Sequence, residues 1–529
     1  MERLPLGRVE LCAGVILTLW ALALHFVWLK SAGPLWRDEV GTIDFAGMPT
    51  WGEIWRNLQY DNFPPLFVAV ARAWMGLGFS SDFGCRVLGF LIGAVTLAVL
   101  WWSARCFGAR APLLAVALYG LNPMAIRVGD SMRPYGFGIL LTLLALALVW
   151  RFAQSQQTKW LVLATAASVL SVQCLYQCAF FVMAFCCGAW AGALAGGRRK
   201  AAMGTAILAA ISAISLLPHV SNIKKGQDWF VIARTQVPAD ALLKMLASAL
   251  NDRGGWTVVV WLGLGISALA VAFLLGGSRR VPQSLYLAAS MIVWTVAFAA
   301  FLQFLGLTPR SWYFLILMAP AALAMDGVFG SLAHPVAQAG RIGLAVLLAA
   351  CMAPNSWAGV RMRQSNIDFV AAKIKSAAQP GDMVLVSPWY YGVSLQRYLP
   401  TNSWTALPPM TELRTHRYDL MKKQMEAPAP IALLLAGAEN ALRSGHALWV
   451  AGVFQFAPSG QPQPILPPYH GEPMDAADAH YFSSWMFQIS ALVQSHAKQG
   501  GQVAIASPDN LPINPFEDVP LLRFEGWHD

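Results

Sequence analysis

The sequence predicts a polytopic α-helical membrane protein of about eleven transmembrane helices, followed by a C-terminal soluble α/β domain. Three observations carry this. Of the 529 residues, 57% are hydrophobic and only 12% are charged, too little polar surface to keep a soluble domain of this size in water. Stretches such as 111–126, 160–197, 201–222 and 281–309 contain no Asp, Glu, Lys or Arg, as lipid-embedded segments require. From about Arg361 the apolar runs shorten to strand length, and prolines, acids and other polar residues become regular, the composition of a chain that returns to water.

Apolar runs of span length lie near 10–30, 86–105, 111–128, 135–151, 160–176, 178–196, 201–219, 256–276, 284–306, 312–332 and 342–358. Arg3 and Arg8 precede the first run, which is longer than the core of a cleaved signal and reads as a retained helix. With the N-terminus in the cytoplasm, the inner connections hold Arg105 and Arg110, Arg151 and Lys159, Arg198 to Lys200, Arg279 and Arg280, and Arg341, with no acid among them. That is the asymmetry the positive-inside rule demands. The segments 31–85, 129–134, 220–255, 307–311 and everything after about 359 then face outward, where most of the acids fall. Residues 1–358 form the membrane module, with 31–85 as its first outer loop, and 359–529 form a periplasmic domain.

The formal charge of +10 does not imply nucleic acid, because the basic residues punctuate span ends and do not gather in one aromatic-rich stripe. All eight cysteines lie in or beside predicted spans, which argues against a disulfide framework or a zinc site. Cys174 and Cys178, at i and i+4, read as packed residues on one helix face.

In the C-terminal domain, Ile367–Ala378 has helical spacing, Pro380-Gly381-Asp382 makes a turn and Met383–Ser387 reads as a buried strand. The pattern recurs as helix 431–443 with strand 447–453, and helix 481–498 with strand 502–507, giving a small α/β layer. The Pro-, Gly- and Gln-rich stretch 457–473 reads as a long loop. No Gly-x-Gly-x-x-Gly follows any strand, so nucleotide binding is not expected.

The first outer segment is the richest in chemistry. It opens Pro34-Leu35-Trp36-Arg37-Asp38-Glu39 and continues to Tyr60-Asp61-Asn62-Phe63-Pro64-Pro65-Leu66. Adjacent acids beside an arginine at a membrane surface are costly to desolvate unless something uses them, although a solvated loop would hold them equally well. Arginines and tyrosines at outer span ends, here Arg133, Tyr135, Arg310 and Tyr313, suit either a phosphate or the lipid headgroup zone. His219, beside Pro218, reads as a helix-end residue, and the loop after it carries Lys224 and Lys225.

An Asp-Glu pair just after the first span, a Pro-Pro-Leu leading into an amphipathic helix at 67–76, and Cys85-Arg86-Val87-Leu88 opening the second span together resemble the GT-C glycosyltransferases. The likeness is greatest to the protein mannosyltransferase and aminoarabinose transferase group. Asn122-Pro123, Arg133-Pro134-Tyr135, Arg310-Ser311-Trp312-Tyr313-Phe314 and Pro380-Gly381-Asp382 agree with it, so the similarity runs in order over about 10–400.

The resemblance implies transfer of a sugar from a polyprenyl-phosphate donor to a lipid, glycan or protein acceptor, at the outer membrane face and with inversion at the anomeric carbon; the compact loops point to a bacterial inner membrane. In this group the first acid of the pair is the base, here Asp38. Glu39 would orient Asp38 or the acceptor, and Asp61 and Asp130 are further acids for the acceptor side. Phosphate is a good leaving group, so one carboxylate base suffices and no proton donor is needed. Charge growing on that phosphate calls for fixed cations, for which Arg133 and Arg310 lead, with Tyr135 and Tyr313 beside them and Arg37, Lys224 and Lys225 behind.

The chain departs from the family pattern at Phe63, where many relatives have histidine before Pro-Pro, and at Ser131, where they have an acid; Asp130 is one position away. Paired carboxylates would suit a divalent metal, yet no histidine joins them locally and the group includes members that work without one, so no metal is expected. The rival reading is a transporter or flippase of a lipid-linked sugar, which would carry ionisable groups at mid-membrane. Here the span interiors are almost free of charge, Asp326 being the chief exception. A non-catalytic subunit that keeps the fold is a third reading.

Overall fold

The structure is a computed structural model; it describes residues 6–529 apart from 62, 196, 252–254, 277–281, 308, 457–464, 506 and 508–509. The Arg279-Arg280 connection and the first half of the 457–473 loop therefore lie outside the described residues.

The chain folds as two compact units. One comprises Met1–Lys30, Phe63–Ser221 and Val237–Arg361; the other comprises Ser31–Asn62, Asn222–Gln236 and Met362–Asp529. Two segments read from the sequence as loops of the membrane module thus fold with the C-terminal residues.

The first unit is helical. Eight described helices are long and apolar enough to cross a membrane: Leu6–Ser31, Asp82–Cys106, Pro134–Ser155, Arg199–Ala233, Trp256–Leu274, Gln283–Gln303, Ser311–Gly330 and Pro335–Val360. Thr158–Val172 and Cys178–Leu194, expected as spans, are apolar but shorter. The expected span at 111–128 is broken into a short turn at Leu113–Ala115, a π-helical turn at Val116–Gly120 and the helix Pro123–Gly129. Pro123 starts that last helix while the side chain of Asn122 caps it, accepting from Ala125 N–H at 3.0 Å, so the Asn-Pro dipeptide begins a new element here. Cys174 stands in the turn before the helix beginning at Cys178, so the two do not share a helix face. The break follows Gln173, whose side-chain amide donates to the Ser215 carbonyl at 2.7 Å. Cys178 instead receives the Thr142 hydroxyl at 3.3 Å.

Aromatic packing holds this unit together: Trp150 stacks on Tyr286 at 5.3 Å, and Trp294 meets Phe181 and Phe185 at 6.0 and 5.8 Å. Gly89 and Gly136 let backbone approach backbone, since a Cβ on either would collide with the carbonyl oxygen of Asp130 or Gly129 respectively. Asp326, the charge that stood out in the sequence, is paired. Arg341 donates to it at 2.9 Å and to Glu10 at 2.8 Å, while Leu114 N–H caps onto it at 3.1 Å. A buried charge is tolerated in such company.

The second unit is built on a five-stranded sheet ordered β2-β1-β3-β5-β4. The strands are β1 (Met383–Ser387), β2 (Thr405–Ala406), β3 (Leu448–Gly452), β4 (Ala497–Gln502) and β5 (Leu521–Trp527). β1 pairs in parallel with β2 and β3, with Val384 opposite Trp449, while β5 runs antiparallel to both β3 and β4. The helices Ile367–Ala377, Ala432–Arg443 and Ala477–His496 contribute to its core with Leu385, Val386, Leu448 and Val450.

Pro380-Gly381-Asp382 seeds β1. Gly381 takes φ +100°, where a side chain would also collide with His446. Asp382 accepts from Ala447 N–H at 2.8 Å and from the Trp449 indole at 2.9 Å. Burial pushes the Asp382 carboxyl up, but these donors outweigh it and hold it below its ordinary value.

The sequence placed a strand at 502–507; the strand is instead Ala497–Gln502, because the preceding helix ends at His496. Its sequence, AKQGGQ, is almost wholly exposed and offers no alternating apolar signal.

Candidate active site

The segment after the first span enters a helix at once. Trp36 is extended and Arg37–Ala46 is helical, which puts Asp38 and Glu39 in the first turn, where carboxylates suit the unpaired N–H groups. The two acids then diverge. Glu39 is fully buried and its Oε2 accepts from Trp36 N–H at 3.2 Å, closing the helix start. Asp38 keeps 24% of its side chain exposed, with Oδ1 lying 3.9 Å from Arg37 Nε and 3.5 Å from His416 Nε2. Of the pair, Asp38 is the acid a substrate can reach.

Arg37 is committed to Glu517. Its backbone N–H and guanidinium donate to Glu517 Oε2 at 3.0 and 3.3 Å, and the guanidinium also reaches the Phe516 carbonyl at 2.7 Å. The rings of Tyr390 and Tyr391 lie 4.8 and 5.6 Å from it. Burial pulls the guanidinium down, but Glu517 and Asp38 more than offset this and hold it above its ordinary value. Burial pushes Glu517 up to about 7, against the pull of Arg37.

Asp61 is half-buried at the end of the short turn Leu58–Tyr60, next to Tyr60, whose ring lies 4.3 Å from the Arg417 guanidinium. Trp229 donates to the Gln59 side chain at 3.2 Å, which fixes the end of the helix Val220–Phe230 on that turn; Lys224 and Lys225 are exposed along it.

The candidate phosphate-binding residues lie in the other unit. Arg133 is the extended residue before the helix Pro134–Ser155, so a side-chain cation and a helix start coincide. Its guanidinium sits 4.6 Å from the Phe63 ring, and Phe63 meets Tyr135 edge-on at 5.5 Å. The Phe63 that departs from the family pattern thus packs into the same group. Arg310, exposed, precedes the turn Ser311–Phe314, which packs against the helices Pro123–Gly129 and Ala239–Ala249; Trp312 lies 6.0 Å from it and touches Tyr313 edge-on.

Asp130 is buried and pairs with His25 at 2.6 Å, an internal contact between helices. His219 is held by Gln173 at 2.8 Å, in keeping with a helix-end residue. Among the described residues no group of three or more His, Cys, Asp and Glu side chains gathers as a metal site would.

Sequence reasoning missed His416 and Glu517. Both stand hundreds of residues from Asp38 and Arg37, and no local spacing links them; the only hint was their place in a domain read as facing the same side as the first outer loop.

Residues 62–222 match the family of dolichyl-phosphate-mannose-protein mannosyltransferases. No curated protein sequence matches the chain. Among solved structures, ArnT from Cupriavidus metallidurans bound to undecaprenyl phosphate is similar over 96% of this chain and 97% of its own, at 13% identity and TM-score 0.51. The apo oligosaccharyltransferase of Archaeoglobus fulgidus is similar over 96% of this chain and 75% of its own, at 12% identity and TM-score 0.53. The same organism's AglB, in complex with an inhibitory peptide and a dolichol-phosphate, is similar over 83% and 69%, at 12% identity and TM-score 0.52. The chain therefore has the GT-C glycosyltransferase fold, with helices long and apolar enough to cross a membrane, and its residues 62–222 match the dolichyl-phosphate-mannose-protein mannosyltransferase family.

Proposed function

We propose that this protein is an inverting glycosyltransferase that moves a sugar from a polyprenyl-phosphate donor to an acceptor at the outer face of a bacterial inner membrane. The observation that carries the reading is the split between the two acids. Asp38 is accessible beside His416 and Arg37, while Glu39 is spent on the helix start. Undecaprenyl phosphate and dolichol-phosphate bound to proteins of this fold support a lipid-phosphate donor.

In the reaction, Asp38 takes the proton of the acceptor's nucleophilic group as that group attacks the anomeric carbon from the face opposite the phosphate. The bond from that carbon to the phosphate oxygen breaks, its electron pair leaves on the phosphate, and the configuration inverts. Arg133 and Arg310 stabilise the negative charge that builds there, with Tyr135, Tyr313, Lys224 and Lys225 as flanking donors. Arg37 keeps the Asp38 segment in place through Glu517, and Asp61 borders the acceptor side. The reading needs no metal. The N-terminus lies in the cytoplasm and the C-terminal domain in the periplasm.

The test is Asp38→Asn in a strain lacking the gene. Loss of the base lowers formation of the missing glycoconjugate by ~10² or more. Wild-type levels from that variant would overturn the assignment, and movement of an intact lipid-linked sugar across the bilayer with no change in its glycosidic bond would replace it with a flippase.

A further inference from the structure

We propose that His416 is the positioning residue of Asp38, holding one carboxylate oxygen so that the other meets the acceptor; the inference rests on the assignment of Asp38 as base. Both residues belong to the same compact unit. His416 Nε2 lies 3.5 Å from Asp38 Oδ1, a distance at which a base and its orienting partner stand before substrate tightens the site. The imidazole does not float there. On one side Trp389 meets it edge-on at 6.2 Å. On the other it lies over Gly41, where a Cβ would be 3.8 Å from its Nδ1. Asp38 and Gly41 are i and i+3 on the helix Arg37–Ala46, hence on one face, and that face is the one His416 covers. Asp38 and His416 keep 24% and 23% of their side chains exposed, so the pair remains open to an acceptor.

Other charges of the same unit have counter-charges of their own. On the segment that carries His416, Glu412 is bonded by Arg414 at 2.7 to 3.1 Å and Asp419 by Arg417 at 2.7 Å, so these acids are matched. On the facing helix, Arg37 is matched by the buried Glu517. Tyr418, two residues along the chain, meets Trp389 edge-on at 5.5 Å. A histidine that donates to one oxygen of a carboxylate base fixes the orientation of the other oxygen and keeps the base ionised, and a misplaced base is slow.

The contact is tested without any turnover by acylating the purified full-length protein with diethyl pyrocarbonate between pH 5 and 9 and following His416 by peptide mass spectrometry. The neutral imidazole reacts, so removing the carboxylate with Asp38→Asn moves the midpoint for His416 down by about half a unit or more. An unchanged midpoint would overturn the pairing. Function is read as the initial rate of glycoconjugate formation in membranes of the deletion strain, which supply their own lipid donors. His416→Gln, which keeps an N–H donor, stays within about threefold of wild type, whereas His416→Phe falls about tenfold and shifts the acidic limb of the pH profile upward. His416→Phe with an unaltered rate and profile would end the positioning role. Full rate in Asp38→Asn would instead end the assignment of the base, while leaving the pairing measured by acylation intact.

Discussion

The imidazole of His25 and the carboxylate of Asp130 meet at 2.6 Å, 105 positions apart in the chain and both buried. His25 lies in the helix Leu6–Ser31 and Asp130 ends the helix Pro123–Gly129, three residues before Arg133. The pair borders a cavity of about 20 Å³ with Thr96 and Tyr119, room for about one water. It ties the turn that carries Arg133-Pro134-Tyr135 to the first span. Removing one partner leaves the other buried without its counterpart, which costs about 3–5 kcal/mol, whereas removing both costs less. Asp130→Leu is expected to lower the thermal midpoint of the detergent-solubilised protein sharply, and His25→Leu with Asp130→Leu to restore part of it. A single variant that melts like wild type would refute this account.

Asp38 and Glu39 are neighbours with separable duties. Glu39→Ala removes the acceptor that closes the start of the helix Arg37–Ala46, a loss of roughly 1 kcal/mol or a factor of about five in local opening. Hydrogen exchange of the peptide spanning that helix should therefore quicken in Glu39→Ala and stay at the wild-type rate in Asp38→Asn, while sugar transfer falls more in the latter. Equal exchange in all three proteins would show that Glu39 does not hold the helix start.

Asp44, on the same helix, gives a pH dependence. Burial pushes its carboxyl up to about 7, against Arg397 and Arg414, and Gln396 donates to its Oδ2 at 2.9 Å. An acid whose folded value is raised binds more protons folded than unfolded, so its contribution to stability is greatest at low pH and is lost as pH rises from the ordinary carboxylate range towards about 7. The helix Arg37–Ala46 should accordingly exchange faster at pH 8 than at pH 5 once intrinsic rates are corrected. Asp44→Asn should flatten that dependence; if the slope persists in the variant, another group is its source.

How far the sequence could be read depended on how local each determinant is. Eight of the eleven expected spans and the β1 strand rest on composition and short spacing and are found as elements, whereas the helix Arg37–Ala46 that carries Asp38 and Glu39 was read only as part of an outer loop. The span expected at 111–128 was misjudged because hydropathy is blind to the Asn122-Pro123 boundary, which ends one element and caps the next. β5 was overlooked: its Leu521 and Phe524 point to the core, but Arg523, Glu525 and Gly526 interrupt the apolar run that marks a buried strand. Asp326 looked isolated because its partner Arg341, which also donates to Glu10, sits on another helix. For the same reason the Asp38–His416 and Arg37–Glu517 contacts are tertiary facts that no motif encodes.

Arg133 carries the last prediction. It stands at a helix start with its guanidinium over Phe63, whose ring meets Tyr135 edge-on. A planar cation held in this way is oriented before an anion arrives, which lowers the entropy lost on binding. Binding of undecaprenyl phosphate to the purified protein in nanodiscs should weaken by about tenfold or more in Arg133→Ala and by less in Arg133→Lys, since a lysine keeps the charge but loses the stacked, forked geometry. Phe63→Ala should weaken it too, with the charge intact, because the guanidinium loses the surface that orients it. If Arg133→Ala binds the lipid phosphate as tightly as wild type, Arg133 is a headgroup anchor, and the donor's phosphate is held elsewhere, with Arg310 the next position to change.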